Sequence, residues 1–179
     1  MEYAKDFSSI SSAVEINKTL RESIISLVEK EPVAGKVLEG EGRLEEFRKV
    51  MKRFFSGELD LNETTKEIEF RLPRHYSRYE NDNRVFAAGW AERLARTNIS
   101  CYYNQAVLTS IIESGDDTCF VEHSPNEMAD SKCSLHLAGK KHSAKLLLTR
   151  LIDSYRKGQW GKEVKIPDHP HCTHTVRPA

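Results

Sequence analysis

The sequence predicts an α+β fold: a mainly helical N-terminal region followed by a small α+β domain stapled by zinc. Three observations predict it. Apolar residues recur at three- and four-residue steps through much of the first 115 positions, the period of an amphipathic helix. The texture then changes to a short strand-like run, Thr118-Cys119-Phe120-Val121-Glu122. The last third gathers histidine and cysteine at the spacing of metal ligands. Pro73 lies between regions of opposite charge. Residues 1–72 hold 12 basic and 15 acidic side chains, and residues 73–179 hold 15 and 12. The predicted division is therefore a helical region, 1–72, and a domain, 73–179.

The elements follow in order. Ala13, Ile16, Leu20, Ile24, Leu27 and Val28 fall on one helix face, which Pro32 and Gly35 end. Leu44, Phe47, Val50, Met51, Phe54 and Phe55 form a second face, stopped by Gly57. Asp60-Leu61-Asn62-Glu63-Thr64-Thr65 can cap a third, short helix. The stretch from Tyr76 to Gly115 reads as a long helix pair, through Val85, Phe86, Trp90 and Leu94 and then Ile99, Tyr102, Tyr103, Ala106, Val107 and Ile111. Cys101 on that helix and Cys119 in the strand read as core. A further helix spans Leu146 to Tyr155, with Gly158 and Gly161 after it. Pro167, Pro170 and Pro178 make the last twenty residues an extended arm or strand.

Composition bounds the function. The 179 residues fit one domain, or one with an extension, and 39% hydrophobic content implies a modest core. Equal numbers of basic and acidic residues, 27 each, argue against a dedicated polybasic nucleic-acid binder. No run approaches the ~20 apolar residues of a membrane span, so no membrane partner is expected. The start, Met1-Glu2-Tyr3-Ala4-Lys5-Asp6, lacks a basic segment before an apolar run, so no signal peptide is expected. In a reducing cytosol the four cysteines are expected to be free or metal-bound.

Five of the seven histidines lie between positions 136 and 174. The pattern is Cys133-x-x-His136, then His169-x-x-Cys172-x-His174. Two short ligand groups separated by a connecting element suit tetrahedral zinc with nitrogen and sulfur ligands. A two-residue spacer lets the chain turn so that both side chains face one ion. Cys172 and His174, two apart, face the same side of an extended segment. The expected ligands are Cys133, His136, Cys172 and His174, with His169 as substitute or supporting ligand. The expected role is structural, a staple for the proline-rich tail. No His-Glu-x-x-His, phosphate-cradling glycine loop or Gly-x-Ser-x-Gly elbow is present. Glu163 and Asp168 are candidates for a general base only by their nearness in sequence. Glu67 and Glu69 read as a solvated helix face. Arg71, Arg74, His75, Arg78, Arg84, Arg93 and Arg96 cluster among Tyr76, Tyr79 and Trp90. That composition suits a phosphate, nucleic-acid or protein contact, and Glu80, Asp82 and Glu92 dilute it toward local ion pairs.

From Glu92 to Arg177 the chain resembles the C-terminal domain of phage head morphogenesis proteins, the minor head proteins of the Mu F type. The resemblance rests on Arg96-Thr97-Asn98, on Tyr103-Asn104-Gln105-Ala106, on the run Asp130 to Gly139 with Cys133 and His136, and on His169-Pro170-His171-Cys172-Thr173-His174. His136 and His174 stand where the family has a second cysteine, and Asn98 where it has a glutamate. The resemblance implies a minor head protein made in the host cytoplasm and ending in the virion. Its implied partners are portal or capsid proteins and double-stranded DNA, with Arg74, Arg78, Arg84, Arg93 and Arg96 as the contact and binding rather than turnover as the activity. Residues 1–72 match nothing in the family. The rival readings are a zinc-dependent nuclease or toxin domain with His142 or His171 as base, and a zinc-binding adaptor unrelated to phage.

Overall fold

A computed structural model describes residues 2–179 and shows an α+β protein, with seven α-helices and a three-stranded antiparallel sheet among the described residues. The first predicted helix is in fact two, α1 (Ile10–Ile16) and α2 (Lys18–Lys30). Asn17 separates them, and its Oδ1 caps α2 by accepting from the Leu20 N–H at 3.1 Å. The break takes the two helices out of phase. Ala13, Leu20, Ile24 and Val28 remain buried, but Ile16, expected on the same face, is 65% exposed.

Helix α3 (Arg43–Phe55) buries the predicted stripe of Phe47, Val50, Met51, Phe54 and Phe55. Helix α4 (Leu61–Arg71) opens on a capping box: Asp60 Oδ1 accepts from the Glu63 N–H at 2.8 Å, and Glu63 Oε2 from the Asp60 N–H at 2.9 Å. At the start of α3, the buried Arg43 has no carboxylate partner. Its guanidinium donates to the carbonyls of Val37, Pro73 and Leu72 at 2.7, 3.1 and 3.0 Å. Burial holds its pKa below the ordinary arginine value. One side chain thereby ties together a loop, α3 and the end of α4.

The predicted helix pair between Tyr76 and Gly115 is a single helix, α5 (Trp90–Glu113). The preceding segment is turns because side chains there satisfy the backbone. Arg74 donates to the Glu80 carbonyl and, at 2.7 Å, to Asn83 Oδ1, while Asp82 Oδ1 accepts from the Arg84 N–H at 2.9 Å. Gly89, at φ +74°, makes the left-handed entry to α5. Helix α5 is about 36 Å long, and every residue from Asn98 to Leu108 is buried. It is the axis of the molecule.

Strand β1 (Thr118–Val121) lies between β2 (Lys140–Ser143) and β3 (Val176–Pro178), antiparallel to both. Phe120 pairs with Lys141 on one side and Arg177 on the other. Here the predicted strand and extended tail meet. Strand β2 and the short α6 (Lys132–His136) were not anticipated. Helix α7 (Ala144–Leu151) runs on into one π-helical turn, Ile152–Arg156. Helices α2, α4 and α7 and strands β1 and β3 all pack on α5. One core therefore runs from Ala4 to Val176, across Pro73. No helix among the described residues is long and apolar enough to cross a membrane.

Removing the Arg43 head strands three carbonyls, so Arg43→Ala is expected to lower unfolding free energy by about 3 kcal/mol. Loss of the exposed cap in Asp60→Ala is expected to cost about 1 kcal/mol. Urea unfolding of both variants checks the difference, and equal losses would contradict the role given to Arg43.

Candidate metal centre

Four side chains converge beneath the tail. Glu127, Cys133, Cys172 and His174 each offer a ligand atom, and these atoms all lie within 4.8 Å of one another, so the group could hold a metal ion. Three separate segments deliver them. Cys133 is the second residue of α6, which Ser131 caps by accepting from the Ser134 N–H at 3.2 Å. Cys172 and His174 alternate along the extended stretch leading into β3, so both face inward. A turn in which the Cys172 N–H donates to the His169 carbonyl at 3.0 Å brings His169 to the same place. Glu127 comes from the loop after β1, and the tail itself aims it: Thr173 N–H donates to Glu127 Oε2 at 2.9 Å.

The spacing is tight. Cys133 Sγ is 3.8 Å from Cys172 Sγ and 3.5 Å from His169 Nε2. His174 Nδ1 is 3.7 Å from Cys172 Sγ and 4.0 Å from Glu127 Oε2. His169 Nε2 is 3.4 Å from Glu127 Oε1. The imidazoles thus present different nitrogens: Nδ1 of His174, whose Nε2 faces Ser134 Oγ at 3.5 Å, and Nε2 of His169. The centre is closed. Cys133, Cys172 and His174 are at most 1% exposed and the Glu127 side chain 5%, whereas the His169 side chain is 37% exposed.

The electrostatics favour one negative sulfur. The Cys172 thiol beside it draws the Cys133 pKa far below the ordinary thiol range, against the opposing effect of burial, and His169 and His174 add to the pull. Cys172 moves the other way, pushed up by that same contact and by burial. Contact with Cys133 also raises His169, with burial opposing and Glu127 assisting.

Among the expected ligands, Cys133, Cys172 and His174 belong to the group and His169 joins it. His136 does not: it is exposed at the end of α6, because the helix face that buries Cys133 also buries Leu137, four residues on. Glu127 belongs to the group instead. No spacing rule points to a carboxylate from a polar loop, and Asp130, nearer to Cys133, is exposed. His171 and Glu163 are exposed, and His142 contacts the Leu137 carbonyl at 2.9 Å. The Tyr103-Asn104 pair serves both chain ends: Tyr103 Oη accepts from the N-terminal Ala4 N–H at 2.7 Å and Asn104 Oδ1 from the Val176 N–H of the tail at 3.0 Å.

The arginines have local partners. Arg71 pairs with Glu67 at 2.8 Å and Glu46 at 2.9 Å, Arg78 with Glu39 at 3.7 Å and Arg84 with Asp82 at 3.1 Å. Arg74 and Arg93 donate to carbonyls, and Arg96 lies over the Phe7 ring, 4.3 Å from its centroid.

No protein family, curated protein or solved structure matches the chain.

Cobalt titration of the thiolate absorption band separates these assignments. His174→Ala is expected to weaken metal binding at least tenfold, while His136→Ala stays within about twofold of the parent. Equal loss in the two variants would place His136 in the shell.

Proposed function

We propose that the chain is a zinc-stapled binding protein of phage head assembly, acting by contact rather than by turnover. The observation that carries the zinc reading is the set of edges between donors. Around a tetrahedral ion with zinc–sulfur bonds of about 2.3 Å and zinc–nitrogen bonds of about 2.0–2.1 Å, sulfur–sulfur edges come to about 3.8 Å and sulfur–nitrogen edges to about 3.6 Å. The corresponding distances here are 3.8 Å for the sulfurs and 3.5 and 3.7 Å for sulfur to nitrogen. Soft thiolates with imidazole suit zinc, whereas magnesium and calcium take oxygen ligands. Near-complete burial suits a structural site, since a catalytic one needs an open position.

Head assembly is supported by the order of the motifs. Of the residues that carry the resemblance to minor head proteins, Asn104 bonds the tail, Cys133 meets Cys172 and His174 of the tail in one donor group, and Tyr103 bonds the N-terminal Ala4. A portal or capsid surface, or double-stranded DNA, would then meet the arginines near the start of α5. Surface ion pairs are weak enough to be exchanged for such a partner. The zinc-dependent nuclease or toxin reading draws on one observation: five donors surround a site for four, so either Glu127 or His169 is free for another task.

Elemental analysis of untagged protein is expected to find one zinc per chain, lost from the Cys133→Ser, Cys172→Ser double variant. Chelation should lower Tm by about 10 °C or more. Metal-free native protein whose Tm ignores chelators would overturn the zinc reading. For head assembly, portal, terminase and protease genes are expected beside this one, and the zinc-loaded chain should co-sediment with that portal. A gene among metabolic neighbours, or metal-dependent DNA cleavage, would overturn it.

A further inference from the structure

Beside the metal centre a cavity of about 340 Å³ opens between the loop at 33–37, the start of α5 and the segment 155–170. Its volume falls within the range of small-molecule sites. The wall combines two kinds of group that a packing fault would not bring together. Trp90 and Trp160 both line it. A second ring holds each edge-on: Phe86 against Trp90 at 5.1 Å and 79°, and Tyr155 against Trp160 at 5.1 Å and 88°. Trp160 is nevertheless 59% exposed.

Three cations share the wall, Arg84, Arg93 and Lys165. Arg93 is fixed by donating to the carbonyls of Ala88 and Ala87 at 2.5 and 3.3 Å, which orient its charge without cancelling it. Arg84 forks onto Asp82 with two hydrogen bonds of 3.1 Å, and its side chain, 90% exposed, stands open to a ligand phosphate. Lys165 Nζ lies 5.9 Å from the Trp160 ring centroid and 3.9 Å from Asp168 Oδ1. Asp168 is the one carboxylate on the wall.

We propose that this cavity binds a nucleotide. A base stacks against Trp160 and Trp90, its exocyclic amine meets Asp168, and its phosphate meets Arg84 and Arg93. An inorganic anion would leave two indoles without a task, and a neutral apolar ligand would leave Arg93, which has no carboxylate partner among the described residues, with its charge unanswered. Stacking and phosphate charge are separable contributions. The ligand is either a free nucleotide or one nucleotide of a single strand. The proposal stands on the cavity wall, which shares only His169 with the neighbouring donors, and none of the contacts assigned to the nucleotide uses that residue.

Calorimetric titration with AMP, adenosine and a ten-residue oligodeoxyadenylate tests it. AMP is expected to saturate and to bind at least fivefold more tightly than adenosine. Trp160→Ala should weaken AMP about tenfold, and Arg84→Ala several-fold with a shallower salt dependence. Both side chains are exposed, so Tm should not move, and Lys18→Ala should change nothing. An oligomer at least tenfold tighter than AMP supports the proposal with a single strand as the source, and equal affinities support it with a free nucleotide. No saturable binding of either, adenosine as tight as AMP, or unchanged affinity in both variants would overturn it.

Discussion

The segment from Cys172 to Val176 is tied down at every residue, and the C-terminal half depends on those ties. Cys172 and His174 turn their side chains into the donor group. Thr173 engages three neighbours: its carbonyl accepts from the Phe7 N–H at 2.9 Å, its N–H donates to Glu127 at 2.9 Å, and its hydroxyl donates to Ser124 at 2.8 Å. Thr175 reaches Ala4 through its hydroxyl at 2.7 Å, and its carbonyl accepts from the Glu122 N–H at 3.0 Å. Val176 meets Asn104. The N-terminal segment, α5 and the loop carrying Glu127 are thus held together through five consecutive residues. This explains why a strand of only three residues, β3, can close a sheet.

The donor group is the most buried cluster of titratable side chains in this arrangement. Two thiols, an imidazole and a carboxylate sit almost without water, and burying polar or charged groups without full partners costs free energy. Sharing one negative charge between Cys133 and Cys172 offsets only part of that cost. On the zinc reading the ion satisfies the donors together, with an apparent binding free energy of about 10–16 kcal/mol in small structural sites. That rivals the ~5–15 kcal/mol of net stability of a whole domain. The fold of the tail and the loading of the ion would then be one event.

Much of the helical half was legible in the sequence because its signals are local. The stripe of α3 and the cap of α4 lie where the sequence puts them. The failures share a cause, in that side chains outside the periodic pattern took over. Asn17 broke the first helix, and Arg74 and Asp82 satisfied the backbone ahead of α5. The donor group was half legible. The tail ligands lie close in sequence along an extended chain, so spacing marks them. Glu127 arrives through a long-range contact with Thr173, which no spacing encodes. His136 lies outside the group because a two-residue spacer serves a turn, whereas Cys133 lies in a helix whose inward face passes to Leu137. Arg43 and the cavity beside His169 are assembled from segments far apart in sequence, and local patterns do not register them.

On the proposed reading one tetrahedral zinc with two sulfur ligands would hold the tail. X-ray absorption at the zinc edge, on untagged protein as purified, tests it most directly. Two sulfurs at about 2.3 Å and two nitrogen or oxygen ligands at about 2.0–2.1 Å are expected. A shell of nitrogen and oxygen alone, six-fold coordination, or no zinc in the folded protein would contradict it.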